Sequence, residues 1–376
     1  MGPEIDIQLI AVVTAVAAAL PGVFLVLRRM ALVSDAISHA ILPGIVIAFF
    51  ITRDLGSPLL IVAAAVTGLL TVWLIEAFTS SGLVAEDAAI GLVFPALFSL
   101  GVILISRYAG GVHLDTDAVL LGELAFAPFD RLVVAGHDVG PVALWSMGGI
   151  LILNLTVIVA FAKELKLATV DPELAALLGF SPAVIHYGLM SLVSVTAVGA
   201  FNAVGSILVV ALMIAPPAAA WILADRLSTM VGLSALFGAT SAITGYWTAR
   251  LLDVSIAGSM AVCAGAVFVG VFVLAPERGL AVQIRRRRSQ RLQFSTRLLL
   301  VHLLHHEASP EAAEENRQRA LHRHLQWSVP FTRQVIRDAA GRDLVVPGSE
   351  LLELTARGRA LAESSLIEVP PSSSPA

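Results

Sequence analysis

The chain has 376 residues, 57% of them hydrophobic and 14% charged, with a net charge of −4. Soluble domains carry about 25% charged residues, so an ordinary soluble globular protein is excluded. The lone cysteine, Cys263, lies in an apolar run and excludes an intrachain disulfide scaffold; it reads as a small buried hydrophobe. From about residue 7 to 275 the apolar residues fall into runs long enough to cross the ~30 Å hydrocarbon layer as helices. The alternating pattern of a β-barrel is absent. The lead "MGPEIDIQLI" is acidic, without the basic start of a cleavable signal.

Nine spans are predicted, at about 6–27, 39–52, 58–79, 88–106, 138–162, 183–200, 203–224, 230–250 and 255–275. The second is short for a full crossing. It starts earlier, near Ser34, or is a broken helix buried among others. In "ALVSDAISHAILPGI", Asp35 and His39 are four residues apart and share one helical face. A carboxylate and an imidazole so placed can reach one Zn²⁺, Mn²⁺ or Fe²⁺ ion together. The alternative has Ser34 or Asp35 capping a helix that begins at Ala36, with His39 donating to a backbone carbonyl. The cap accounts for Asp35 and leaves His39 without a role.

Further along, Glu76 and Glu123 read as solvated or capping residues. His113, Asp115 and Asp117 lie in a loop that is either an entry funnel or plainly solvated. Residues 117–128 read as a re-entrant or surface helix, which leaves a count of eight spans open. His137 and His186 read as interfacial residues. In "DPELAALLGF", Asp171 can cap a short helix, Pro172 suits its first position, Glu173 suits its positive end and Gly179 can terminate it. Gly and Pro recur within the spans, as in "ALPGVF" and "IAPPAA", where small residues let helices approach. Asp253, at a span end in "DVSIAGSMAV", reads as a helix cap or as a secondary metal or gate residue.

At "QIRRRRSQRLQ" the composition breaks. Residues 283–376 hold fourteen arginines and ten acidic residues, and residues 1–282 carry a net −8. The domain boundary is therefore placed at 282/283, and the Arg cluster puts the C-terminal residues in the cytoplasm. Counting back through nine spans puts 162–182, Arg28, Arg29 and Arg226 on the same side and the N-terminus outside.

"RRMALVSDAISHAILPGIVIAFF" at 28–50 resembles the signature of ABC-transporter permeases for zinc, manganese and iron uptake. "LMIAPPAAA" at 212–220 and "DVSIAGSMAV" resemble the later motifs of that family, over roughly residues 6–277. The tandem proline departs from the commoner single one. The resemblance implies that Asp35 and His39 line the path of a transported metal, Mn, Zn or Fe, with no permanently bound cofactor. Glu173, Ala175 and Gly179 resemble the E-A-A-x-x-x-G loop by which importer permeases engage their ATPase. No G-x-x-x-x-G-K-[ST] stretch occurs, so ATP hydrolysis is expected in a separate ATPase subunit and this chain is not an enzyme. The other partners implied are an extracellular or periplasmic metal-binding protein and a second permease copy or sister permease. Asp35 and His39 from two copies would make a four-ligand site. An imidazole ligates only when neutral, so acid should weaken binding.

After the boundary come a helix at "STRLLLVHLLHHEAS", a charged helix at 309–326 and a third helix ending at Gly341. Two short strands and a last helix at "LTARGRALAES" complete the order. That order and the "LTxxGxxxA" ending resemble winged-helix domains of metal-dependent repressors. The Arg cluster suits nucleic-acid phosphate, anionic membrane lipid or a topological stop. The membrane tether argues against DNA as a partner, and a regulatory or protein-contact module is expected. His302 and His306, at i, i+4, read as a cytoplasmic metal sensor or as part of a His-rich solvated helix; His305, Glu307, His322 and His324 are nearby. Residues 369–376 read as a disordered tail.

The prediction is an all-α polytopic inner-membrane protein of eight or nine transmembrane helices, with a small cytoplasmic winged-helix-like α+β domain at 283–368. Its expected function is the permease subunit of an ATP-driven importer of a divalent transition metal. The alternatives are a membrane-anchored metal-sensing regulator and a proton-coupled secondary transporter.

Overall fold

A computed structural model of the chain describes residues 2–53, 57–108, 124–134, 137–307, 312–347 and 350–367. These form two compact units that divide at Gly279/Leu280, three residues before the compositional break.

In the first unit, nine helices among the described residues are long and apolar enough to cross a membrane. Helix α1 (Pro3–Leu27) comes first. The second span, Ala31–Thr52, is two helices, α2 (Ala31–Ala40) and α3 (Leu42–Thr52), meeting at Ile41. Pro43 has no N–H to give the preceding turn, and the ladder breaks there. The span thus begins well before residue 39; Ser34, Asp35, Ser38 and His39 dilute the hydropathy of its first turns. Next come α4 (Pro58–Ser80) and α5 (Glu86–Tyr108).

Strands β1 (Arg131–Val134) and β2 (His137–Pro141) then pair as an antiparallel hairpin. This corrects the span expected from residue 138: Gly140 adopts φ +118° and Pro141 has an extended backbone, so helix α6 (Val142–Ala160) starts only after them. Two short helices come next, α7 (Ala162–Val170) and α8 (Pro172–Leu177). The unit closes with α9 (Pro182–Val204), α10 (Ser206–Leu223), α11 (Leu227–Leu252) and α12 (Ile256–Leu274). Of the proposed helix at 117–128, residues 117–123 lie outside the described residues, and Leu124–Phe129 form turns.

Helix α1 is the hub and packs against α6, α9, α10 and α11. Its alanines make this possible: Ala11, Ala15, Ala17, Ala18 and Ala19 are fully buried. Buried Asn154 on α6 donates to Ala17 O of α1 and to Thr196 Oγ1 of α9, both at 2.9 Å. An unpaired amide in this apolar interior would be costly, so the two bonds also specify which helices meet.

The second unit holds α13 (Leu280–His306), two single turns α14 (Ala312–Glu315) and α15 (Leu321–His324), and α16 (Val329–Gly341). Strands β3 (Val345–Pro347) and β4 (Leu352–Leu354) pair antiparallel, and α17 (Ala356–Ile367) closes the chain. Leu299, Leu303, Val335, Ala339, Leu352 and Ala362 belong to its core.

The single charged helix expected at 309–326 is not formed. Instead Arg317 bridges Leu351, Leu352 N–H donates to Asn316 O, and Gln318 N–H donates to Glu350 O. The Asn316 carbonyl and the Gln318 N–H are thus spent on the strand side.

The "LTxxGxxxA" stretch has a plain physical account. Thr355 Oγ1 accepts from Gly358 N–H at 2.9 Å, capping α17, and donates to Asp343 O at 2.7 Å. A Cβ on Gly358 would stand 1.9 Å from Leu344 O. Gly358→Ala is expected to destabilise the second unit by about 1–3 kcal/mol through overpacking. Limited proteolysis of the full chain should show earlier cleavage after residue 279 while the first unit stays resistant; equal resistance of both units would refute this.

Candidate metal centre

Asp35 and His39 stand on α2, with His39 Nε2 3.5 Å from Asp35 Oδ1. The capping alternative does not describe them. Helix α2 starts at Ala31 with Met30 as its cap residue, so Asp35 is already in the second turn. Ser34 and Ser38 turn their hydroxyls back to Ala31 O and Ser34 O, at 2.7 and 2.9 Å. The His39 ring lies against Phe94 and Phe98 of α5, with centroids at 5.8 and 6.2 Å. Two aromatic rings and the Asp35 carboxylate thus border the imidazole. The Asp35 side chain is 46% exposed and that of His39 25%, so the pair faces open space. Two ligands are half of a tetrahedral set. At 1.5 Å per residue, His39 lies roughly 12 Å along the span from its start.

The kink at Ile41 lies directly beyond this pair. Past it, a Cβ on Gly44 would meet Thr67 Oγ1 at 2.1 Å and Ala63 O at 2.6 Å, so α3 presses on the α4 backbone.

Asp253 is not brought to the pair. It ends α11 in the left-handed region, φ 55°, and Ser255 rather than Asp253 caps α12 by accepting from Gly258 N–H. Asp253 lines a cavity with Glu4 and Ile7, at the N-terminal end of α1. Helix α2 leaves from the other end of α1, some 25 helical residues away.

In the loop between α6 and α9, Asp171 Oδ1 accepts from Leu174 N–H at 2.9 Å, and Pro172 opens α8. Ala175 is fully buried, and its carbonyl accepts from Phe180 N–H. Gly179, at φ +88°, makes that closing turn possible. Glu173 is exposed on the first turn. Val170, Leu174, Leu177, Leu178 and Phe180 are also exposed, Leu177 by 84%.

Sequence reasoning missed a polar cluster beside this loop. Arg28, at the end of α1, donates through Nε to Thr169 Oγ1 of α7 at 3.2 Å, and its Nη1 lies 3.1 Å from His186 Nδ1 of α9. Arginine only donates, so Nδ1 accepts and Nε2 carries the proton, 2.7 Å from Glu76 Oε1 of α4. Tyr187 OH donates to the other Glu76 oxygen. Burial lowers the Arg28 pKa from its ordinary value. The available signal was Glu76 itself, a charge inside a predicted span.

His113, Asp115, Asp117 and Glu123 lie outside the described residues. In the second unit His302 and His306 are neighbours, with ring centroids 4.7 Å apart.

Residues 6–275 match the model of the ABC 3 transport family. The chain is 46% identical over 361 residues to the zinc transport system membrane protein TroD of Treponema pallidum (strain Nichols), covering 96% of this chain and 98% of that one. It is 47% identical over 269 residues to the manganese transport system membrane protein MntD of Bacillus subtilis (strain 168), covering 72% of this chain and 91% of that one. The first of these alignments is longer than the first unit and so enters the second. Among solved structures, PsaBC from Streptococcus pneumoniae in complex with Fab is similar, with TM-score 0.62 and 30% identity over 74% of this chain and 94% of that one.

Proposed function

This chain belongs to the ABC 3 transport family, and from that premise we propose that it is the membrane-spanning permease of an ATP-driven importer, carrying Zn²⁺, Mn²⁺ or Fe²⁺ past Asp35 and His39. The observation that carries this reading is the open-faced carboxylate–imidazole pair, 3.5 Å apart, immediately before a proline-broken turn in a span. Nitrogen plus carboxylate oxygen suits these three ions and not an all-oxygen calcium site. Relatives named for zinc and for manganese support the same class of cargo.

In the mechanism, a metal handed over by an external metal-binding protein enters between two permease subunits. Asp35 and His39 of each replace hydration ligands in passing, holding the ion weakly enough to release it. The C-terminal unit lies in the cytoplasm, as does the α7–α8 loop, and the N-terminus lies outside. The exposed apolar side chains of α8 dock on a separate ATPase, with the Asp171 cap, Glu173, buried Ala175 and Gly179 holding the helix in shape. Arg28, Glu76 and His186 lie between that loop and α1, α4 and α9, where they can pass its movement toward α2.

Leu177→Asp should leave the chain folded, since Leu177 touches little of its own unit, and should weaken ATPase docking by about 2 kcal/mol or more. Co-purification of the ATPase with the tagged permease reads this directly; undiminished recovery would remove α8 from the interface.

We read the second unit as winged-helix-like, on the order of α13, the Arg317 bridge, α15, α16, the β3–β4 pair and α17. In a membrane-bound chain this module serves regulation or protein contact.

The test of the whole reading is elemental mass spectrometry on cells lacking the gene, with and without the restored wild-type chain. Restoration of one metal, dependent on ATP, is the expected outcome. Restoration driven by a proton gradient alone would make the protein a secondary transporter, and no change in any metal would refute import.

A further inference from the structure

The second unit assembles a cluster of imidazoles that the transport pathway does not use. His302 and His306 occupy successive turns at the end of α13. Folding brings Glu315 of α14 to them, across a segment that no helical period connects. One ligand atom from each of the three lies within 4.8 Å of the others. His302 Nε2 faces the Glu315 carbonyl at 3.4 Å and its carboxylate Oε2 at 3.8 Å. That carboxylate is itself held by His324 of α15, whose Nδ1 lies 2.9 Å from Oε2. The His306 Nδ1 atom is buried and has no hydrogen-bond partner among the described residues. A buried nitrogen without a partner, in a cluster whose carboxylate is oriented by a third imidazole, is a combination that metal ligation would satisfy.

We propose that His302, His306 and Glu315 bind a divalent transition metal in the second unit, with His324 as the positioning residue for the Glu315 carboxylate. Two imidazoles and one carboxylate are a set that Zn²⁺ takes readily, leaving a fourth position open. Bound metal would tie α14 to the end of α13, in the stretch where backbone groups turn to β4 instead of forming a helix. The site is separate from Asp35 and His39. Only the further step, that the second unit responds to the imported ion, rests on the transport reading.

The experiment uses the full chain in detergent, stripped with chelator and then given Zn²⁺ alone or Co²⁺ alone. The background carries Asp35→Ala and His39→Ala, which removes the pathway pair from the count. One Zn²⁺ per chain should remain after desalting, with a visible Co²⁺ band. His324→Ala should weaken binding by about 10–100-fold. His306→Ala should weaken it by at least as much and abolish the band. Should His306→Ala misfold, His306→Gln keeps size and polarity while removing the ring. Unchanged Zn²⁺ content and Co²⁺ spectrum in a folded His306 variant would overturn the proposal. That result would leave cellular metal import untouched, because import reads Asp35 and His39.

Discussion

Asp35→Ala and His39→Ala, each expressed in cells lacking the gene, should reduce accumulation of the imported metal to the level of the empty strain. The loss should be at least about 100-fold in metal affinity, since replacing even a residue behind a metal ligand costs about 10–100-fold. Stability should scarcely change. The pair is partly exposed, and an i, i+4 ion pair of this kind contributes about 0.3–0.5 kcal/mol. Matched membrane levels with lost import would therefore assign the chemistry to these side chains. Two further variants refine the reading. Asp35→Asn keeps the shape and loses the charge, so it should fail as alanine does. Phe98→Leu, which loosens one wall of the His39 ring, should retain part of the import. Full restoration by Asp35→Ala or His39→Ala would make the pair structural and move the pathway elsewhere.

The second large effect is expected at Gly22. A Cβ there would stand 2.1 Å from Met213 O, 2.9 Å from Met213 C and 3.1 Å from Pro217 Cγ. These are backbone and ring atoms of α10, which is packed between α1, α11 and α12. No flexible side-chain end is available to give way. Gly22→Ala should cost at least about 3 kcal/mol, at the upper end of overpacking penalties. The observable is a steep fall in monodisperse protein recovered from membranes, with a lowered Tm in what remains. Gly232→Ala is the control: nothing lies within 4 Å of its added Cβ, and alanine in a helix is favoured over glycine by roughly 0.5–1 kcal/mol. Similar Tm values for the two variants would show that the close α1–α10 approach does not hold the unit together.

Gly22 also shows how far reading along the chain reaches. "ALPGVF" and "IAPPAA" are each legible as places for close helix packing. That they pack on each other is not, because Gly22 and Pro217 are separated by most of the unit. The cluster of Arg28, His186 and Glu76 was dispersed for the same reason, over three spans and their ends. Along the chain Glu76 reads as solvated and His186 as interfacial; the packing of α4 against α9 brings them together. The hairpin at 131–141 is not legible along the chain, because hydropathy alone extends the following span backward over it.

What the sequence determined by itself is what depends on neighbours a few residues away. Span length, the proline break after Asp35 and His39, the cap and stop around α8, and the i, i+4 pairing of two ligand types all come from helical rise and from which residues lack an N–H or a Cβ. Which faces meet could be decided only by the tertiary structure. Lipid tails are as apolar as leucine, so a membrane helix need not mark its buried side with hydrophobic residues, and α1 shows its place at the centre only through its contacts. In the second unit, 309–326 carries a helical pattern, yet backbone pairing with β4 outweighs it. That break is what lets His324 reach Glu315, since nine residues of unbroken helix would hold them roughly 13 Å apart along its axis.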